Sequence, residues 1–176
     1  MNISFAEDMR DIDLRVTRDY GLPEIVLMEN AGRRTAEEMA KLIDGVQDRV
    51  ICVFAGSGNN GGDALASARH LINMGARVKL FFTGDSNHLR KAARAMHDAL
   101  HAMGVEIRPL VSERDWDRLR VSLRFADGVV DGLLGTGVHG ELREPIVRLV
   151  EEINAAGKPV MAIDIPSGVE ADTGRI

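Results

Sequence analysis

The stretch VICVFAGSGNNGGD, residues 50–63, joins an apolar run to a loop of glycines and asparagines that ends in Asp63. The run 50–54 is apolar throughout and does not alternate, which is typical of a strand covered by helices on both faces. Residues 64–74, which follow the loop, carry apolar side chains at helical spacing. A strand, a glycine-rich loop and a helix in this order predict the opening unit of a parallel α/β sheet, and such sheets bind ligands at this junction.

Short apolar runs and helical stretches alternate along the rest of the chain. Strands are predicted at residues 49–55, 77–82, 105–110, 128–134 and 159–163, and helices at 64–74, 88–103, 113–120 and 145–155. This alternation predicts a Rossmann-like, doubly wound and mostly parallel sheet with helices on both faces.

Two helices are predicted before the first strand. Ser4 and Glu7 have the spacing of a capping box, so a first helix should run from there to about Asp19. Gly21 interrupts it, and a second helix with Pro23 in its first turn should extend to about residue 44.

The composition limits the classes of protein that fit. The 176 residues are 45% hydrophobic and contain no linker-like tract, which predicts a single domain over residues 1–176. The net charge of -5 argues against a nucleic-acid partner. Cys52 is the single cysteine and lies in an apolar strand, so we expect a buried thiol and a reducing compartment. No targeting segment or membrane-length apolar stretch is recognised, so we expect a cytoplasmic protein with no membrane partner.

The loop after the first strand has the Gly56-x-Gly58-x-x-Gly61 pattern of a dinucleotide fingerprint. Its asparagines and Asp63 differ from a loop that cradles only pyrophosphate, because a carboxylate repels phosphate. Amide and carboxylate oxygens instead suit sugar hydroxyls, a carboxamide or a cation. The alternative is a plain tight turn in which Asp63 only favours the helix dipole.

Two later strands also end in acidic, glycine-containing loops. Asp131 follows one strand, and Asp164 opens an Asp-Ile-Pro-Ser-Gly turn after another. Asp164 is the acid/base candidate, because burial at a strand end would raise its pKa towards neutrality. Each aspartate has a structural alternative, a strand-terminating turn for Asp131 and an Asx-turn for Asp164. No histidine or cysteine cluster has metal-ligand spacing, so no transition-metal site is predicted.

Several motifs resemble, in order and spacing, those of the YjeF N-terminal domain family. They are residues 58–63 (GNNGGD), Asp131 with GTG at 135–137, residues 164–168 (DIPSG), and the opening stretches 7–10 and 27–32. The resemblance implies an enzyme that epimerises the R and S hydrates of NADH and NADPH. A separate ATP- or ADP-dependent dehydratase would then restore the cofactor.

The resemblance also implies residue roles. Substrate contacts would come from Asn59, Asn60, Gly61, Gly62 and Asp63, and the phosphate portion would be wrapped by Gly135, Thr136, Gly137, Val138, His139, Gly140 and Glu141. Asp164 would act at the nicotinamide end as proton donor and then base, and Asn60, Asp131 and Ser167 would hold a potassium ion. A fused or separate dehydratase and a second copy, bound through the N-terminal helices, are the expected partners. Family domains continue beyond the Asp-Thr-Gly at 172–174, so the last strands are expected to be missing here.

Two other functions fit the same fold. One is a non-catalytic nucleotide-binding or dimerisation scaffold, as in proteins that assist mRNA decapping, and the other is a nicotinamide-dependent oxidoreductase. The acidic charge and the presence of Asn60, Asp131 and Asp164 argue against the scaffold. The lack of a substrate domain argues against the oxidoreductase.

Overall fold

A parallel sheet of five strands forms the centre of the molecule. A computed structural model describes residues 5–137 and 140–176 of the chain. The strands are β1 (Val50–Gly56), β2 (Arg77–Thr83), β3 (Ile107–Pro109), β4 (Gly128–Gly132) and β5 (Val160–Ala162). They lie in the order β3-β2-β1-β4-β5, so the direction of winding reverses between β1 and β4. The predicted Rossmann-like sheet is confirmed.

Helices cover both faces of this sheet. They are α1 (Ala6–Asp19), α2 (Glu24–Leu42), α3 (Asn59–Asn73), α4 (Lys91–Ala102), α5 (Glu113–Phe125) and α6 (Ile146–Ala155). One apolar core packs side chains of α2, α3 and α4 against the sheet, and a second core does the same for α5 and α6. Two cores on opposite faces explain why the strands are apolar on both sides.

Cys52 is fully buried, and this burial raises the pKa of its thiol to about 12.

The register of the strands aligns their carboxyl ends. Phe54 of β1 pairs with Asp131 of β4, and Asp131 pairs with Ala162 of β5. Because all strands are parallel, the loops that follow β1, β4 and β5 leave the same edge of the sheet. This register brings the three sequence motifs to one crevice at the point where the winding reverses.

The first turn of α3 differs from the prediction. Residues 59–63, which we expected in a loop, form the start of this helix. The amide of Gly62 donates to the carbonyl of Gly58 at 3.1 Å. Glycine and asparagine are tolerated there because the first amides of a helix need no acceptor within it.

Other helix boundaries also differ from the predicted ones. The helix predicted at 88–103 begins later, as α4 at Lys91, and a short 3₁₀ helix at Ser86–His88 precedes it. The Asp85 carboxylate caps this 3₁₀ helix by accepting the Asn87 amide at 2.8 Å. Helix α1 begins after Phe5, whose amide donates to Asp8 at 3.2 Å, whereas the expected cap Ser4 lies outside the described residues. Pro23 precedes α2 instead of lying in its first turn.

Helices α2 and α3 approach each other very closely at Gly32. A Cβ there would lie 2.4 Å from the Cβ of Ala66 and 2.7 Å from the amide nitrogen of Ser67. Nearby, the Glu29 carboxylate accepts a hydrogen bond from Arg69 and lies 2.9 Å from His70 Nε2. The Arg69 hydrogen bond lowers the pKa of Glu29.

Within the described ranges, no helix is both long and apolar enough to cross a membrane.

We expect Gly32→Ala to destabilise the protein by about 2 kcal/mol or more. The substitution gains about 1 kcal/mol of helix propensity, but the new methyl group meets backbone atoms of α3 that cannot move aside. Urea unfolding measures the difference. Gly137→Ala is the control, because the nearest atom to a Cβ there lies 3.9 Å away. Equal midpoints for the two variants would contradict this account of the helix contact.

Candidate functional site

The loops after β1 and β4 are held in contact by glycines. A Cβ on Gly61 would lie 1.8 Å from the carbonyl oxygen of Gly56, and one on Gly56 would lie 2.1 Å from the carbonyl oxygen of Leu133. No larger residue fits at either position without a shift of the backbone. This contact fixes the start of α3 against the end of β4.

Asp131 joins the loops that follow β4 and β5. The residue is 6% exposed, and its Oδ1 accepts the Ser167 hydroxyl at 2.7 Å while its Oδ2 accepts the Ser167 amide at 2.9 Å. Oδ1 also accepts the amide of Leu133 at 3.2 Å, which ends the strand earlier than predicted. Charge-assisted hydrogen bonds of this kind are stronger than neutral ones, so the carboxylate fixes both loops.

Asn60 is connected to the same network through the backbone of Leu134. Its Nδ2 donates to the Leu134 carbonyl at 2.7 Å, and the Leu134 amide donates to Ser167 Oγ at 3.0 Å. This orientation leaves Asn60 Oδ1 buried, with no hydrogen-bond partner among the described residues. A buried acceptor without a partner is costly, so a ligand that offers positive charge would be bound favourably here.

The donor set fits a monovalent cation. A buried amide oxygen, a carboxylate and a hydroxyl come together at Asn60, Asp131 and Ser167, and hard cations prefer such oxygen ligands. Over residues 5–137 and 140–176, no group of three or more His, Cys, Asp or Glu side chains could hold a metal ion. The amide, carboxylate and hydroxyl at this site are hard oxygen ligands, whereas zinc and copper are held mostly by imidazole and thiolate groups.

Asp164 lies beside this cluster. A Cβ on Gly135 would lie 3.0 Å from Asp164 Oδ2 and 3.1 Å from Asn60 Cβ, so both side chains border the same glycine. Contrary to our expectation of a largely buried side chain, Asp164 is exposed at the crevice. Its pKa is nevertheless raised, first by the protein atoms that crowd its carboxylate and then by the charge of Asp13. Its φ of 60° is left-handed, a conformation that Asp and Asn tolerate better than most residues.

Asp63 is the second carboxyl group of the crevice. Desolvation raises its pKa to about 8, with further contributions from the negative charges of Asp164, Asp13 and Glu24. At neutral pH, Asp63 is therefore protonated and able to donate a hydrogen bond. The neighbouring Asn59 is exposed, and its Nδ2 donates to Glu24 Oε1 at 2.8 Å.

Comparison with known protein families assigns most of this chain to one family. Residues 24–176 match the family described as YjeF-related protein N-terminus. The chain belongs to this family. The match includes each of the three strand-end motifs that form the crevice.

Two relatives and one solved structure are similar to this YjeF-related domain. A Moorella thermoacetica protein named bifunctional NAD(P)H-hydrate repair enzyme Nnr is 40% identical over 99% of this chain and 33% of its own length. A Rhodopirellula baltica protein named NAD(P)H-hydrate epimerase is 37% identical over 97% of this chain and 67% of its own length. The chain thus spans about a third of the bifunctional relative. The crystal structure of yeast YNL200c covers 100% of this chain and 75% of its own, with a TM-score of 0.87 and 24% identity, which supports the fold.

Some of the remaining predicted site residues of the YjeF-related domain line a cavity next to the cluster. The cavity has a volume of about 860 Å³, and Gly135, Gly140, Glu141 and Ser167 are among its lining residues. Thr136 and Gly137 form a turn at the loop between β4 and α6. The predicted contacts Val138 and His139 lie outside the described residues.

Three residues near the crevice were not singled out from the sequence. Glu24 orients Asn59, Asp13 acts electrostatically on Asp63 and Asp164, and Arg10 reaches towards the loop after β4. Arg10 and Asp13 are three residues apart on α1, a spacing that puts them on one face of the helix. That spacing is visible in the sequence, but it does not indicate which face meets the sheet.

We expect Asp63→Asn to stabilise the domain increasingly as the pH rises. The pKa of Asp63 rises from 3.8 to about 8 on folding, so the wild type loses stability as the pH increases between these values. The neutral amide removes this loss, so the gain relative to wild type should grow with pH by up to about 1.4 kcal/mol per pH unit across this interval. Thermal or urea unfolding across the range measures it.

The control for this experiment is Glu151→Gln, a change at an exposed carboxylate on α6. The pH dependence of the stability of Asp63→Asn is compared with that of this surface variant. A stability difference for Asp63→Asn that does not vary between pH 4 and pH 9 would show that Asp63 has an ordinary pKa.

Proposed function

We propose that this domain epimerises the R and S hydrates of NADH and NADPH. The observation that carries the proposal is the buried network of Asn60, Asp131 and Ser167, which leaves one unpartnered amide oxygen next to Asp164. The printed names of the Moorella and Rhodopirellula relatives support the same activity. The R and S hydrates differ at C6, the carbon that carries the hydroxyl. An acid/base group beside the cluster would face this carbon.

Substrate binding is assigned to the two loops that carry the first two motifs. The first turn of α3, residues 59–63, would contact the hydrated nicotinamide nucleotide through amides and the protonated Asp63. The loop 135–141, including Val138 and His139, would wrap the phosphate portion. The cavity beside this loop is large enough for part of a nucleotide, since ligand pockets commonly have volumes of this order.

The reaction needs a group that first gives and then takes a proton. Donation from the lone pair of the ring nitrogen expels the C6 hydroxyl, which leaves as water after it receives a proton from Asp164. The resulting iminium is attacked by water on either face, and the Asp164 carboxylate takes the proton that this water loses. The raised pKa of Asp164 supports the role, because an acid/base group works best when its pKa is close to the working pH.

A potassium ion is the proposed cofactor, held by Asn60, Asp131 and Ser167. The buried Asn60 Oδ1 without a partner is the feature that fits it best. The ion would supply one positive charge at an acidic crevice that must accept a polyanionic nucleotide. The protein itself fixes the three oxygens through the Leu134 backbone, so the site is preorganised before the ion binds.

Incubation with a mixture of NADH hydrates tests the activity directly. Chromatography should show that the R and S forms approach their equilibrium ratio. A scaffold would leave the ratio unchanged, and an oxidoreductase would instead convert reduced to oxidised cofactor with a loss of absorbance. Either of these results would replace the proposed reaction by the corresponding alternative.

Asp164→Asn should lower the rate of epimerisation by at least about 100-fold, the usual contribution of a positioned acid/base group. Asparagine keeps the left-handed backbone, so folding should be unaffected. The matched control is Asp48→Asn, because Asp48 also has a positive φ, 60°, but lies before β1 at the far end of the strand. A near-normal rate in Asp164→Asn would remove this residue from the chemistry.

Potassium should raise the stability of the domain more than sodium at equal ionic strength. Ligand binding to the folded state adds about 1.4 kcal/mol at ten times the Kd. Ser167→Ala should abolish the difference between the two salts, whereas Ser122→Ala, at an exposed hydroxyl on α5, should preserve it. Identical melting curves of the wild type in both salts would argue against a potassium site.

Partners and location form the last part of the proposal. The epimerised hydrate would pass to an ATP- or ADP-dependent dehydratase, fused or separate, in keeping with the bifunctional name of the Moorella relative. A homodimer through the N-terminal helices is supported by exposed apolar side chains on and next to α1, among them Phe5, Leu14 and Tyr20. The fully buried Cys52 suits a cytoplasmic location, where thiols stay reduced.

A further inference from the structure

We propose that Arg10 on α1 is a substrate-contacting residue, whose guanidinium holds a phosphate oxygen of the nucleotide against the glycine loop after β4. The inference rests in part on the proposed function, because it assumes that the crevice accepts a phosphorylated nucleoside. It assigns to α1 a role as a wall of the binding site.

The position of α1 places Arg10 over this loop. The guanidinium NH2 atom lies 3.9 Å from the position that a Cβ on Gly137 would occupy. The start of the helix is anchored by a hydrogen bond from the Ala6 amide to Asp172 Oδ1, at 2.8 Å. Asp13, one turn further along, lies close enough to Asp63 and Asp164 to act on both electrostatically, which places this part of α1 near the crevice.

The electrostatics of the crevice require a cationic group at this point. Its side chains include the carboxyl groups of Asp13, Glu24, Asp131 and Asp164, whereas a dinucleotide brings at least two negative phosphates. Backbone amides of a glycine loop can hold a phosphate from one side. An arginine on the other side would complete the contact, because its planar fork of N–H donors matches two phosphate oxygens.

Arg10 has no structural partner that would explain its position. It is exposed, and it makes no hydrogen bond or ion pair within residues 5–137 and 140–176. Arg18 and Arg33 of the N-terminal helices are paired, with Asp19 at 2.6 Å and with Glu37 at 2.6 Å. Arg15 on α1 is unpaired among the described residues, as Arg10 is, so the position of Arg10 beside the loop is what distinguishes it. Among the described residues, none therefore takes up the donors of the Arg10 guanidinium, which lies beside the loop after β4.

Binding of ADP-ribose, which carries the pyrophosphate but no nicotinamide, tests the role by titration calorimetry at low salt. We expect Arg10→Gln to weaken this binding about tenfold, the loss of one charge-assisted hydrogen-bonding group. The affinity of Arg10→Lys for ADP-ribose should lie between those of the wild type and Arg10→Gln, because lysine keeps the positive charge but lacks the planar fork of N–H donors. Arg15→Gln on the same helix, away from the crevice, is the control and should bind as the wild type does.

A second set of measurements separates substrate contact from a structural effect. Adenosine, which has no phosphate, should bind the wild type and Arg10→Gln equally, and the melting temperatures should agree. In turnover of the hydrates, Arg10→Gln should raise KM about tenfold with kcat nearly unchanged, since a contact to a phosphate is made equally in the ground state and in the transition state. Equal affinity of Arg10→Gln and wild type for ADP-ribose, or an equal loss for adenosine, would overturn the inference.

The outcome is independent of the proposed reaction. If the wild type shows no epimerisation but its affinity for ADP-ribose depends on Arg10, the inference stands and the proposed reaction fails. If epimerisation is present and Arg10→Gln binds ADP-ribose normally, the reaction stands and Arg10 has no part in binding.

Discussion

The buried carboxylate of Asp131 is the constraint on which the arrangement of the crevice depends. It accepts three hydrogen bonds from the ends of two neighbouring parallel strands and thereby fixes the position of Ser167. Through the Leu134 backbone, the same network orients Asn60 on α3. Removing one member would leave other buried polar groups without partners, so the network is held together as a unit. The unpartnered Asn60 Oδ1 is a consequence of this rigidity.

The acidity of the crevice has two consequences for its chemistry. Desolvation raises the pKa values of Asp63 and Asp164, and the negative charges of neighbouring carboxyl groups add to the effect. The same negative charge would repel a nucleotide unless positive groups offset it. A cation at Asn60 and the guanidinium of Arg10 would supply that charge on two sides of the ligand. In the proposed reaction, proton transfer and substrate binding would therefore depend on one balance of charges.

Much of the fold was accessible from the sequence because it depends on local patterns. Apolar strands that lack alternation predicted a sheet covered on both faces, and the two cores confirm it. The place of the glycine-rich loop after the first strand was also predicted, whereas the close backbone contacts at Gly56 and Gly61 are seen only in the structure. The predicted start of α3 was wrong. Glycine and asparagine were interpreted as loop residues, although the first turn of a helix accepts both.

The sequence by itself determined the parallel sheet and the three strand ends that carry Asn60, Asp131 and Asp164, since periodicity and turn residues act over short distances along the chain. Only the tertiary structure decided that Asn60 turns its amide nitrogen to Leu134, that Asp63 becomes a neutral acid, and that α1 faces the crevice. These features depend on contacts and charges between residues far apart in sequence, and no local pattern specifies them.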